Sequence, residues 1–190
     1  MIVAAVLIVQ RYFFQQKLTD QVALNEGVAL TKEFSVKSTT ENQNSSVKGT
    51  ILVWGDKDKG IADHMRITAS YEIDPEDFAG LTFYIPKKWY ISNLLSSTPE
   101  GQETDLKPRA FERDSVIDEW RNRVEIGFNP SFKPVGGGTG TVMFDLVADR
   151  KAILPEETFN LLVTIGSDMK YGVRSVGVGF IKIPISVKAE

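Results

Sequence analysis

Asp56, Asp58 and Asp63 crowd one short stretch of the chain. Alternating carboxylates of this kind offer the oxygen donors that calcium takes, so these three are the metal-ligand candidates. The stretch is not an EF-hand: Gly60 stands where a ligand belongs, no terminal Glu follows, and Lys57 and Lys59 oppose a cation. It reads first as a solvated hairpin tip, and neither metal nor cofactor is expected.

Nucleophilic and phosphate chemistry fare no better. The single histidine, His64, adjoins Asp63, but no Gly-x-Ser-x-Gly elbow occurs, and Ser175 in Val-Arg-Ser-Val-Gly lacks the first glycine. Gly136-Gly137-Gly138-Thr139-Gly140 resembles a phosphate loop only in composition, because a strand pattern rather than a helix follows it. With no cysteine and one histidine, thiolate chemistry and a multi-ligand His/Cys zinc site are excluded within one chain. The acidic residues would allow a glycosidase-like carboxylate pair, but no spacing singles one out. No catalytic residue is nominated, and the chain is not expected to be an enzyme.

Aromatic residues supply the remaining candidates. Trp89 and Tyr90 follow Pro86-Lys87-Lys88, and Trp54, Trp120, Tyr84 and Phe132 are further large rings. Exposed rings on a β-sandwich can stack on sugars, which makes Trp89 and Tyr90 the ligand-binding candidates. The same residues also fill cores.

Most of the chain alternates with period two, the pattern of half-buried strands. Val28, Leu30, Phe34 and Val36 alternate, as do Met65, Ile67, Ala69, Tyr71 and Ile73 against Arg66, Thr68, Ser70 and Glu72. Ile51 and Val53 precede the aspartate stretch. Further runs are Leu81–Ile85, Val124–Phe128, Val142–Leu146 and Leu161–Ile165. Region 173–187 changes parity at Phe180–Ile181, which predicts a bulge or bend, and Pro184 predicts an edge. Ser115-Val116-Ile117-Asp118 matches a capping box and predicts a short helix over 115–122.

Residues 1–9 are uninterruptedly apolar, followed by Arg11, an aromatic cluster at Tyr12, Phe13 and Phe14, and Lys17. A span needs roughly 20 apolar residues. A secretory signal would carry a basic start and a small-residue cleavage site, and neither is present. The segment reads as a signal-anchor helix whose first turns precede Met1; the alternative is an amphipathic helix packed on the domain. Arg11 and Lys17 alone would keep the domain inside, whereas a turn-rich β-domain behind an anchor is a common exported design.

The predicted organisation is an anchor helix and stalk over 1–27 and a β-domain over 28–190. The domain reads as an all-β, immunoglobulin-like antiparallel β-sandwich of roughly eight strands. A hydrophobic content of 42% suffices for a core without disulfides or metals. A net charge of −3 argues against nucleic acid as partner. These features point to a membrane-anchored, extracytoplasmic, non-catalytic interaction or scaffold domain of a bacterial cell envelope, with a protein or glycan ligand. The alternatives are a carbohydrate-binding sandwich and, behind it, a hydrolase or accessory enzyme domain.

Overall fold

The computed structural model describes residues 28–40, 43–56, 61–97, 106–112, 119–153 and 156–186. The expected anchor helix lies outside these residues. Among the described residues there are ten strands: β1 (Val28–Lys37), β2 (Ser46–Asp56), β3 (Ile61–Ile73), β4 (Leu81–Pro86), β5 (Trp89–Ser97), β6 (Arg109–Glu112), β7 (Trp120–Ile126), β8 (Gly138–Ala148), β9 (Thr158–Lys170) and β10 (Val173–Ser186). They form two five-stranded antiparallel sheets, ordered β1-β2-β3-β8-β5 and β10-β9-β4-β7-β6. The all-β, sandwich-like expectation holds, with ten strands rather than eight. Five strands a side exceed the four and three of a constant-type immunoglobulin domain.

Period-two alternation decides which side chains meet between the sheets. Met65, Ile67, Ala69, Tyr71 and Ile73 of β3 are all buried, while Arg66, Thr68 and Ser70 are only half-buried and Glu72 is exposed. Phe83 of β4 joins the layers, with its ring edge-on to Phe144 of β8 at 5.1 Å and to Phe34 of β1 at 6.2 Å. Two inward glycines make room for rings on the neighbouring strand. A side chain at Gly49 would strike the Phe34 ring, its register partner, and one at Gly140 would strike Tyr71, likewise its partner.

Expectations of local structure met two corrections. Trp120–Asn122, assigned to a helix, belong to β7, because Asn122, Val124 and Ile126 alternate into the core and this outweighs the local cap signal. Residues 115–118 lie outside the described set. The bulge in β10 falls between Val176 and Gly179, earlier than the parity change suggested, where Gly177 takes a φ of 67°. Gly179, Ile181, Ile183 and Ile185 then face inward without a break and Phe180 faces out. Pro184 does lie on an edge strand.

The register fixes two ends to the molecule. The β1–β2, β3–β4, β7–β8 and β9–β10 connections gather at one, since Lys37 pairs with Ser46, Ser46 with Glu72 and Glu72 with Thr139. Val28, which pairs with Trp54 as Trp54 pairs with His64, lies at the other. The chain therefore enters β1 at the end opposite the β9–β10 hairpin.

Candidate interaction surface

Of the rings nominated from sequence, Trp89 is fully buried, edge-on to Phe159 at 6.0 Å. A ring enclosed by the core cannot stack on a ligand, so Trp89 is a packing residue. Tyr90, the next residue on β5, points the other way and is 41% exposed, with the Arg121 guanidinium 5.8 Å from its ring centre.

Of the three aspartates, Asp63 alone has its side chain within the described residues. Asp63 is buried, and its carboxylate meets His64 Nδ1 at 2.7 Å and the Arg150 guanidinium. A buried carboxylate already paired with a guanidinium is poorly placed to bind a cation. Asp58 and the side chain of Asp56 lie outside the described residues. His64 lies stacked on Trp54 at 5.5 Å.

On the outer face of the second sheet, Trp120 donates its Nε1–H to the Asn160 carbonyl at 2.9 Å and tilts against Tyr84. Lys182 Nζ lies 5.6 Å from its ring centre. Glu119 accepts from Lys182 Nζ at 3.0 Å and from Asn160 Nδ2 at 2.7 Å. The hydrogen bond from Lys182 holds the Glu119 carboxyl below the usual carboxylate range, with Asn160 adding to it. An ionised carboxylate with both oxygens engaged ties β9 and β10 to the start of β7 and is not placed for acid–base work. Nearby, burial pushes the Glu125 carboxyl up despite Arg123 and Arg109.

Between the loops at the hairpin end, a buried carboxylate forms the base of a different surface. Asp77 is fully buried and accepts from Ser45 Oγ at 2.6 Å, Ser167 Oγ at 2.7 Å and the backbone N–H groups of Ala79 and Gly80. Four donors satisfy the charge locally, so the network serves as a brace. It joins the β1–β2 and β3–β4 connections to β9 at the residue from which the hairpin projects. Phe78 packs edge-on to Phe132 at 5.7 Å, and the Arg174 guanidinium lies 5.5 Å from the Phe132 ring centre.

Beyond this brace the hairpin is exposed on both sides. Met169 is 63%, Tyr171 104%, Val173 65%, Val176 51% and Phe180 69% exposed. Tyr171 and Gly172 have φ values of 53° and 79°, so the chain turns with both central residues left-handed. Two-residue turns of this type favour Asn-Gly, and a bulky residue there costs about 1 kcal/mol of backbone strain. This chain places a fully exposed tyrosine at the strained position. Sequence reasoning missed the surface because Val176, Val178 and Phe180 read as a buried run. The available signal was Tyr171-Gly172 between two alternating segments.

The outer face of the first sheet has a shallow hollow of about 700 Å³. Hydroxyls of Ser35, Ser70, Thr141 and Ser97 lie along it in one register row with Lys48.

No family model matches the chain, and no curated protein matches it. The chain is similar to a solved structure from work on "pH-induced modulation of Streptococcus parasanguinis adhesion by Fap1 fimbriae". The identity is 13%, over 85% of this chain and 98% of that one, with a TM-score of 0.31. A likeness at that score carries no argument about function.

Proposed function

We propose that the chain is a non-catalytic interaction domain, an immunoglobulin-like sandwich held at a bacterial cell envelope by its N-terminal segment and facing outward. The observation that carries this reading is the exposed apolar hairpin, with Met169, Tyr171 and Val173 at the end opposite Val28. Exposed apolar side chains gathered on both faces of one hairpin suit a contact surface. The chain thus enters the domain from residues 1–27 at the end away from this hairpin. The test uses full-length protein in cells. It should partition with membranes, and protease added to intact cells should digest the domain. In the same cells, a Ser175→Cys variant should be shielded from a membrane-impermeant maleimide and become reactive after purification. A domain protected from protease would return it to the cytoplasm, and free labelling in undigested cells, where the domain proves protease-accessible, would remove the contact surface.

A second reading, carbohydrate recognition, is favoured by the hydroxyl-lined hollow on the first sheet and by the half-buried Trp120 on the second. Trp54 and Trp89 are buried. Soluble oligosaccharides would therefore have to quench the emission of Trp120, and a Trp120→Phe variant would lose that response.

A further inference from the structure

Edge strands offer unpaired backbone groups to other chains, and proteins usually blunt them. Each edge here carries some such device. β6 has four residues, β1 lies against β10, β5 carries a bulge between Ile91 and Asn93, and β10 carries one between Val176 and Gly179, which leaves Val173–Val176 regular. Along its second half β10 is sealed in turn: Thr39 Oγ1 donates to the Val178 carbonyl at 2.8 Å, and Lys32 Nζ donates to the Pro184 carbonyl. β1 ends at Lys37, beside Gly179, where any side chain would strike the Lys37 carbonyl. The first half of β10, Val173–Val176, runs past that point. β9 pairs it on one side, and among the described residues no strand pairs it on the other.

We propose that this free edge pairs antiparallel with the same edge of a second copy of the chain, across a two-fold axis at Ser175. The inference rests on the reading of the hairpin as a contact surface and names its partner. Parity restricts the register, because residues opposite each other in an antiparallel pair must point to the same face. An axis at Arg174 would set two guanidinium groups opposite each other, which is unfavourable. An axis at Val176 would set Arg174 opposite Val178 of the partner subunit, whose carbonyl Thr39 already holds. An axis at Ser175 places Arg174 opposite Val176 of the partner subunit and brings Tyr171 beside Phe180 of the partner subunit. One symmetric operation thereby covers Tyr171, Val173, Val176 and Phe180, and the contact closes on itself.

The geometry has a consequence for function. An antiparallel seam turns the two molecules head to head, so their Val28 ends leave in opposite directions. Copies displayed on facing surfaces satisfy this arrangement.

A seam of a few residues lies at the small end of interfaces, so the dimer should be concentration-dependent. The chain has no cysteine, so full-length Ser175→Cys carries one thiol, opposite its own copy at a separation that antiparallel pairing makes nearly right for a disulfide. Mild oxidation should give mostly covalent dimer, while a Thr158→Cys control, exposed at the other end of β9, should not. In sedimentation, Val176→Lys should weaken wild-type self-association at least tenfold with an unchanged melting temperature. Vesicles bearing the wild-type chain should cluster, and those bearing Val176→Lys should not. A wild-type chain monomeric at every concentration, with Ser175→Cys dimerising no better than Thr158→Cys, overturns the proposal. If Ser175→Cys is nevertheless shielded in cells, the contact surface stands and only the identity of its partner fails.

Discussion

Ile67 and Thr68 are neighbours on β3 and meet opposite environments: Ile67 is fully buried, and Thr68 turns to the half-exposed outer face. An aspartate at Ile67 would place an unpaired carboxylate in the core and remove packing, a loss on the order of several kcal/mol. Thr68→Asp should cost about 1 kcal/mol or less, since the carboxylate keeps access to water. Urea titrations of the two variants check this, and equal losses would contradict the assigned facing. This division was legible from the sequence, because alternation is a local property that survives whatever the sheet packs against. The fate of Trp89 was not legible. Trp89 and Tyr90 are adjacent on β5 and point to opposite faces, so sequence could say that one goes in, but not which, before a neighbour fixes the strand. The Asp77 brace was likewise invisible. Its partners Ser45 and Ser167 lie far away along the chain, and only folding brings their hydroxyls to one carboxylate.

At the level of elements, the β9–β10 hairpin sets local stability against exposure. Its turn has two left-handed residues, and Asn would occupy the first more cheaply than tyrosine. Tyr171→Asn should therefore raise the stability of the isolated molecule by about 0.5–1 kcal/mol. Thermal melts at low concentration read this effect. The same variant should weaken the contact made by the hairpin, since it removes a fully exposed ring. A change that stabilises the fold and weakens binding would mark Tyr171 as retained for contact. An unchanged or lower melting temperature would mean that the tyrosine packs favourably where it is. The helix expected over 115–122 shows the limit of reasoning on single elements. A capping box is a four-residue signal, whereas β7 is held by pairing with β4 and β6 on either side, and cross-strand partners outweigh local propensity.

For the whole molecule, both sheets share one contiguous core, running from Phe34 and Val36 through Phe83 and Phe144 to Ile183 and Ile185. A fragment from Val28 to Glu190 should therefore unfold in one cooperative transition, with a far-UV spectrum dominated by β-structure. It should also stay soluble if residues 1–27 anchor the chain. An insoluble fragment beside a soluble full-length chain would show instead that the segment packs on the domain. The sequence by itself determined the all-β class, the inward-facing residues of most strands, the edge position marked by Pro184 and the exclusion of thiol and multi-ligand zinc chemistry. Each of these follows from residue type and from spacing over a few positions. Tertiary structure alone decided how ten strands divide between two sheets, that Trp89 faces inward, and that β10 outruns the strand that covers it. These outcomes depend on which distant segments become neighbours. The free edge is a property of this last kind: Val173–Val176 are exposed because β1 stops at Lys37, more than a hundred residues earlier in the chain.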